Sequence, residues 1–295
     1  MLGTGATPLR SGERFLQLVQ VQLHVSRRMK IVPSVWNYKL LSPFWRIYSV
    51  ESTGAYVQHG ERKTHLVPGR LCMIPAWLPF QTGLTKAVVQ DFMHFNVTGL
   101  PPTLIRRVFD RPIMLPADVV LDELATRWKA GFDVAPDAFH VGQPEVESVK
   151  QLHDFGWALA LIHAVLATSL TYMPAARRAL CARWLEESRE LQPVLDHIDA
   201  RLKNPPSNEE LARLYHVSPS HLIRLFRKKM GLTPAQYGLE RRVAVAAAWL
   251  TSTDLTLEHI AEQVGFTDRF HFSKAFKACL GVPPVKYRLM HRKDV

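Results

Sequence analysis

Apolar positions in the first hundred residues recur in short runs that are typical of strands. The segments 44–52, 55–77 and 86–99 carry β-branched and aromatic residues in runs of four to eight, separated by turn signals such as Pro68-Gly69. Runs of this length, spaced about ten residues apart, predict a small antiparallel sandwich or barrel.

Beyond residue 102 the apolar positions follow a helical period instead. Segment 118–132 predicts a helix that ends near Gly131, and the Pro- and Gly-containing segment 133–145 predicts a loop or linker. From about Ser148 onward every segment reads as helix, and Pro174 suits a first helical turn. The fold class predicted for the chain is therefore α+β.

One segment is apolar enough to raise the question of a membrane. Residues 155–173 carry no formal charge over 19 positions, which is just long enough to span a bilayer. A central His163, an early Gly156 and polar residues near its end favour a buried interface helix over a transmembrane helix.

A short helical pattern occurs twice near the C-terminal end. The stretch "SPSHLIRLFRKKMG", residues 218–231, is followed about 50 residues later by "TDRFHFSKAFKACLG", residues 267–281. An S-x-x-E capping box at Ser207 and Glu210 begins a helix before the first copy, and His216 and Gly265 occupy the turns. Two helices joined by a tight turn are typical of the helix-turn-helix motif.

The segment between the copies predicts the spacing of the two motifs. The Ala-rich stretch 234–253 predicts a helix of about 16 residues, roughly 24 Å long. Such a helix could hold two recognition helices about one DNA turn apart, roughly 34 Å, so that both enter successive major grooves.

The composition is consistent with a nucleic-acid partner, and the sequence argues against a disulfide framework, a metal site and a signal peptide. The 295-residue chain has a net charge of +11, which favours a polyanionic partner. Its three isolated cysteines offer neither a disulfide framework nor a CxxC metal site, and residues 1–30 lack the features of a signal peptide. We therefore expect a cytoplasmic protein. His59, His65 and His94 form no H-x-H pair, so no metal, cofactor or catalytic residue is predicted.

Residues 241–288 resemble the signature of the AraC/XylS family of bacterial transcription regulators. The pattern is an Arg before an Ala/Leu helix, then "IA..VGF.D...F...FK...G..P..YR". It is matched by Arg242, Ala246, Leu250, Ile260, Ala261, Gly265, Phe266, Asp268, Phe272, Phe276, Lys277, Gly281, Pro284, Tyr287 and Arg288. One departure is Phe270, where the family commonly has a small polar residue. Its ring could touch thymine methyl groups or pack inward.

The resemblance implies an architecture. It implies an effector-binding N-terminal domain, residues 1–140, built as a cupin-like antiparallel β-barrel with trailing helices. Residues 141–190 would form a helical linker and dimerisation region. Residues 191–295 would form an all-α DNA-binding domain with two helix-turn-helix motifs joined by a linker helix.

Outward positions near the start of a recognition helix reach base edges, and flanking basic residues meet phosphates. Helix geometry and the family pattern together predict two reading sets, with Arg224 and Lys274 as equivalent guanine contacts. The first set is Ser220, His221, Ile223 and Arg224, and the second is Arg269, Phe270, His271, Ser273 and Lys274. Phosphate contacts are expected from Arg227, Lys228, Lys229, Lys277 and Lys286.

Effector-binding residues are less sharply defined. Large aromatic residues could stack on a sugar or aromatic effector. His94 lies on the strand face that mixes polar and aromatic groups. The candidates are Trp45, Tyr48, Trp77, Phe80 and His94. That face, formed by alternate residues from Val88 to Asn96, is expected to be solvated rather than to line a lumen.

The function predicted is a sequence-specific transcription regulator, favoured as an activator, controlled by a small effector such as a sugar. Its partners would be promoter or operator DNA, a second copy of the chain and RNA polymerase, with no membrane. Two alternatives stay open. One is a ligand-independent structural DNA-binding protein, and the other is an enzyme domain fused to the DNA-binding module.

Overall fold

The structure is a computed structural model and describes residues 21–34, 36–97, 100–131 and 149–292. Its N-terminal part is rich in strands and its C-terminal part is helical, so the α+β class is confirmed. The predicted linker 133–145 and the expected boundary at residue 140 lie outside the described residues.

The strands form two antiparallel sheets. The first sheet has the order β1-β8-β3-β6-β9 and the second has the order β2-β7-β4-β5. Strand β1 pairs with β8 along its whole length, from Val21 opposite Val97 to Ile31 opposite Val88. The strands are β1 Val21–Ile31, β2 Lys39–Leu40, β3 Trp45–Val50, β4 Ala55–His59, β5 Arg62–His65, β6 Cys72–Ile74, β7 Phe80–Leu84, β8 Val88–Val97 and β9 Ile113–Met114.

Both faces of the first sheet are buried. One face packs against the second sheet through a cluster that includes Tyr48, Val57 and Phe80, and the opposite face is covered by helices. The expectation of a solvated face on β8 is wrong, because the alternate residues Val88, Gln90, Phe92, His94 and Asn96 are all buried. Polar side chains therefore lie inside the sandwich.

The helices follow in the order that the sequence predicts. They are α1 Pro102–Val108, α2 Val119–Ala130, α3 Val149–Thr171, α4 Ala175–Ser188, α5 Gln192–Ala200, α6 Asn208–Leu214, α7 Pro219–Met230, α8 Pro234–Ser252, α9 Leu257–Gln263, α10 Arg269–Leu280 and α11 Pro284–Arg292. Helix α2 ends at Gly131, as expected, and Asp118 caps its start by accepting from the backbone N–H groups of Val120 and Leu121.

Helix α3 contains the uncharged apolar segment. Within the described residues it is the one helix long and apolar enough to cross a membrane, over His153–Thr171, and one third of that window is buried. Ala158, Leu161 and Val165 belong to the core cluster on the helix-covered side of the first sheet. The helix packs mainly against α2.

The strand-rich and helical parts share a hydrophobic core. One cluster runs from Leu23 in β1 to Tyr287 in α11. Polar contacts cross the same boundary: Thr103 Oγ1 donates to the backbone carbonyl of Met230 over 2.5 Å, and Arg106 lies 3.7 Å from Glu240. Helix α1 therefore contacts both α7 and α8.

Candidate nucleic-acid interface

Two helix pairs, α6 with α7 and α9 with α10, flank the long helix α8. His216 and Gly265 have positive φ, 53° and 79°, in the equivalent turns of the two pairs, as the repeat predicts. Positive φ strains the histidine but not the glycine, because glycine has no Cβ. Gly265 is required for a second reason, since a Cβ there would lie 2.3 Å from the carbonyl oxygen of Lys203.

Side-chain caps fix where each helix of a pair begins. Ser207, Ser218 and Thr256 each accept one backbone N–H, and Asp268 accepts from Phe270 and His271. The hydrogen bond from the backbone N–H of His271 is the main cause of the lowered pKa of Asp268, which keeps the cap anionic.

The predicted reciprocal capping box at Ser207 is only half formed. The backbone N–H of Glu210 donates to Ser207, but the carboxylate of Glu210 contacts His197 of the preceding helix and Arg201, the residue that follows that helix. These contacts have replaced the hydrogen bond that a full capping box would form between the backbone N–H of Ser207 and the carboxylate of Glu210.

Helices α7 and α10 repeat each other in burial as well as in sequence. From residue 221 to 230 and from 271 to 280 the order of buried, half-buried and exposed positions is the same at every step. The buried positions are Leu222, Phe226 and Met230 in α7 and Phe272, Phe276 and Leu280 in α10. Each helix ends at a left-handed glycine, Gly231 or Gly281.

The predicted DNA-contacting residues form two equivalent surfaces on these helices. Ile223 and Ser273 are half-buried at corresponding positions. The others are exposed: Ser220, His221, Arg224, Arg227 and Lys228 on α7, and Arg269, Phe270, His271, Lys274 and Lys277 on α10. Both surfaces are basic, so each suits a polyanion.

Local contacts hold part of the α7 surface in place. Arg224 Nη2 donates to His221 Nδ1 over 3.2 Å, which joins two of the predicted reading residues. Lys229 differs from its basic neighbours, because it pairs with Glu190 at 2.5 Å and is half-buried. The hydrogen bond from Lys229 also lowers the pKa of Glu190. The ammonium group of Lys229 is therefore engaged within the protein.

On α10 an exposed aromatic ring stands among charged groups. Phe270 is 72% exposed, so the alternative of inward packing is wrong. The guanidinium of Arg269 lies 4.9 Å from the centre of that ring and pairs with Glu258 at 2.7 Å. Hydrogen bonds from the backbone N–H of Glu258 itself and from Arg269 lower the pKa of Glu258.

The five candidate effector residues do not surround one space. Trp45 and Trp77 belong to the cluster on the helix-covered side of the first sheet, while Tyr48 and Phe80 belong to the cluster between the sheets. His94 lies on the inter-sheet face of β8, with its ring centre 5.1 Å from that of Phe92. No group of three His, Cys, Asp or Glu residues that could hold a metal ion occurs within the described ranges.

Two buried polar side chains between the sheets were not among the predicted effector residues. Gln90 is fully buried, and neither of its amide atoms has a hydrogen-bond partner in the described part of the chain. The same holds for the indole N–H of Trp36, whose ring packs edge-on against Tyr48 with 5.5 Å between ring centres. An unmet buried donor or acceptor costs about 1 to 3 kcal/mol. The signal in the sequence was the face of β8 that mixes polar residues such as Gln90 with aromatic ones.

Comparison with known proteins places the helical part in a family. A family model of the helix-turn-helix domain matches residues 211–290. The transcriptional activator AarP of Providencia stuartii is 35% identical over 103 residues, covering 35% of this chain and 76% of AarP. The arabinose operon regulatory protein of Escherichia coli is 34% identical over 100 residues, covering 33% of this chain and 32% of that protein.

The match to other relatives is partial, and the likeness over the whole chain concerns the fold alone. The chain spans less than half the length of several curated relatives, between 16% and 42%. ToxT of Vibrio cholerae, solved with a naphthalenyl butenoic acid, superposes with a TM-score of 0.50 at 11% identity, covering 92% of this chain and 99% of ToxT. Given the match to AarP and the signature at residues 241–288, the chain belongs to the AraC/XylS family of DNA-binding transcription regulators.

Proposed function

We propose that this regulator activates transcription by reading a bipartite DNA site with α7 and α10. The observation that carries the proposal is the equivalence of the two exposed basic surfaces, position by position. Helix α8 between them has 19 residues and is about 28 Å long at 1.5 Å per residue. That length suits two recognition helices in successive major grooves, about 34 Å apart, as two helix-turn-helix motifs on one chain.

The predicted DNA-contacting side chains divide between base reading and phosphate contact. Arg224 and Lys274 donate to guanine O6 and N7 in the two halves of the site. The remaining base-reading positions are Ser220, His221, Ile223, Arg269, Phe270, His271 and Ser273, and Arg227, Lys228, Lys277 and Lys286 contact phosphates. Lys229 is left out of this set because Glu190 holds it.

The two-sheet domain, which we propose is cupin-like and extends over residues 1–140, binds a small effector between its sheets. Gln90 offers one side-chain donor group and one acceptor, and the aromatic rings of Trp36 and Tyr48 belong to the hydrophobic cluster between the same two sheets. A hydroxyl-rich ligand such as a sugar would satisfy these groups and stack on the rings. Of the five predicted effector residues, Tyr48, Phe80 and His94 keep a place in this site.

Contacts inside the chain supply a route from the effector to DNA. Met290 of α11 packs against the cluster between the sheets. Tyr287, one turn earlier, packs edge-on against Phe276 of α10 with 5.3 Å between ring centres. A ligand that alters the position of α11 would therefore alter α10, provided that its affinity differs between the two arrangements.

The assembly is part of the same proposal. A second copy would pair through residues 141–190, where Trp157, Leu159 and His163 of α3 are half-exposed apolar or aromatic side chains. Residues 191–295 would bind DNA, in the cytoplasm, and RNA polymerase would be recruited at the promoter.

The function can be tested by letting the full-length protein select sequences from random duplex DNA. The selection is carried out with and without a panel of sugars and aromatic acids. We expect one enriched site with two conserved halves and a shift in affinity with one class of compound. Binding without sequence preference would contradict the regulator, and specific binding that no compound shifts would favour a ligand-independent DNA-binding protein.

A further inference from the structure

Phe270 stands at a position where the two reading surfaces differ most in chemistry. Its counterpart 50 residues earlier is Ser220, and both side chains are exposed in the first turn of their helices. Serine can exchange hydrogen bonds with any base edge, whereas a phenyl ring can exchange none. The ring is nevertheless 72% exposed, whereas Phe272 and Phe276 of the same helix are buried.

The ring is held outward by its neighbours. Asp268 accepts the backbone N–H of Phe270 over 2.8 Å, which fixes where the helix begins and the direction of the side chain. Arg269 places its guanidinium 4.9 Å from the ring centre, and Glu258 holds that guanidinium from the preceding helix. These contacts limit the rotation of a side chain that has little packing of its own.

One group in the major groove matches such a ring. Of the four bases only thymine presents an apolar group there, its C5-methyl, and an apolar side chain gains by removing that methyl from water. We propose that Phe270 reads a thymine C5-methyl and makes the α10 half of the site thymine-specific at one position. The inference rests on the proposed function, because it requires α10 to enter the major groove.

The test uses the DNA site selected by the full-length protein, with each thymine replaced in turn by uracil, which removes only the methyl. One position in the α10 half should weaken wild-type binding about four-fold, which corresponds to roughly 0.8 kcal/mol for one methyl group. Phe270→Ala and Phe270→Ser should bind the thymine and uracil sites equally. Ser220→Ala serves as the matched control. In this variant, replacement of the thymine in the α10 half by uracil should weaken binding by the same factor as in the wild type.

The variants should keep the fold, since Phe270 is exposed, and thermal unfolding checks this. Wild-type binding that no uracil in the α10 half weakens would overturn the inference, and so would a Phe270→Ala variant that keeps the sensitivity. Either result leaves specific binding by the wild type intact. Failure of the proposed function would instead appear as the absence of any selected site.

Discussion

The hydroxyl groups of Ser42 and Tyr287 lie 3.1 Å apart in the interior, although 245 positions separate them in the chain. Ser42 precedes β3 in the strand-rich domain, and Tyr287 lies on α11, the last helix of the DNA-binding domain. Burial raises the pKa of Tyr287 to about 12, so its hydroxyl is protonated and can donate at neutral pH. This pair joins the strand-rich and helical parts of the chain directly.

Replacement of Tyr287 by Phe removes the hydroxyl and keeps the ring that packs on Phe276. We expect the free energy of unfolding to fall by about 1 to 3 kcal/mol, because the buried hydroxyl of Ser42 loses a hydrogen-bond partner. Urea unfolding of Tyr287→Phe, Ser42→Ala and the double variant measures the coupling. Strictly additive losses would contradict a direct interaction between the two hydroxyls.

Gln90 tests the proposed effector site without knowledge of the effector. Gln90→Leu removes two buried polar atoms that have no partner in the described residues, so the effector-free protein should become more stable by about 1 to 2 kcal/mol. The same variant should lose the effect of any compound on DNA affinity. A loss of stability would contradict the inference that Gln90 serves a ligand rather than the fold.

A comparison of Gly265 with Gly281 tests how closely the turn between α9 and α10 approaches residue 203. Both have a φ near 80°, but a Cβ at Gly281 would meet nothing within 4 Å, while one at Gly265 would meet the Lys203 carbonyl. Gly281→Ala should therefore cost about 1 kcal/mol for its backbone conformation alone. Gly265→Ala should cost at least twice as much or prevent folding, as thermal unfolding would report. Equal costs would contradict the close approach of residue 203.

His24 predicts a pH dependence of stability. Burial lowers the pKa of His24 in the folded protein to about 4, below its ordinary 6.5. Between these values the unfolded chain binds a proton that the folded protein does not, so stability falls as the pH decreases from 6.5 to 4, by up to about 3 kcal/mol. Urea unfolding across this range should show a steeper decline for the wild type than for His24→Leu. Parallel curves would contradict the lowered pKa.

The helical half was the more predictable part, because its signals are local. Caps such as Ser218 and Asp268, the glycines that end α7 and α10, and the 50-residue repeat all lie within short segments. The sequence pattern did not determine whether the side chain of Phe270 faces the core or the solvent, since an apolar residue in a first helical turn can do either.

The strand-rich half was harder because its burial is set by distant segments. Strand β1 was missed: its alternation of polar and apolar residues is interrupted by Arg27, and its pairing with β8 shifts between Leu23 and Val25. Gln90 and His94 suggested a solvated face because polar residues usually face water, and only the second sheet, packed over β8, buries them. Likewise, the family signature locates Tyr287 but says nothing of Ser42.

Base reading by α7 and α10 is tested most directly by discrimination between the selected site and random duplex DNA. Affinities are measured for the wild type, Arg224→Ala, Lys274→Ala and, as a phosphate-contact control, Lys228→Ala. The two reading variants should lose about 1 to 3 kcal/mol of discrimination, each at its own half of the site. Lys228→Ala should weaken both DNAs similarly and reduce the salt dependence of binding by about one phosphate. Equal losses on both DNAs for Arg224→Ala and Lys274→Ala would contradict the account.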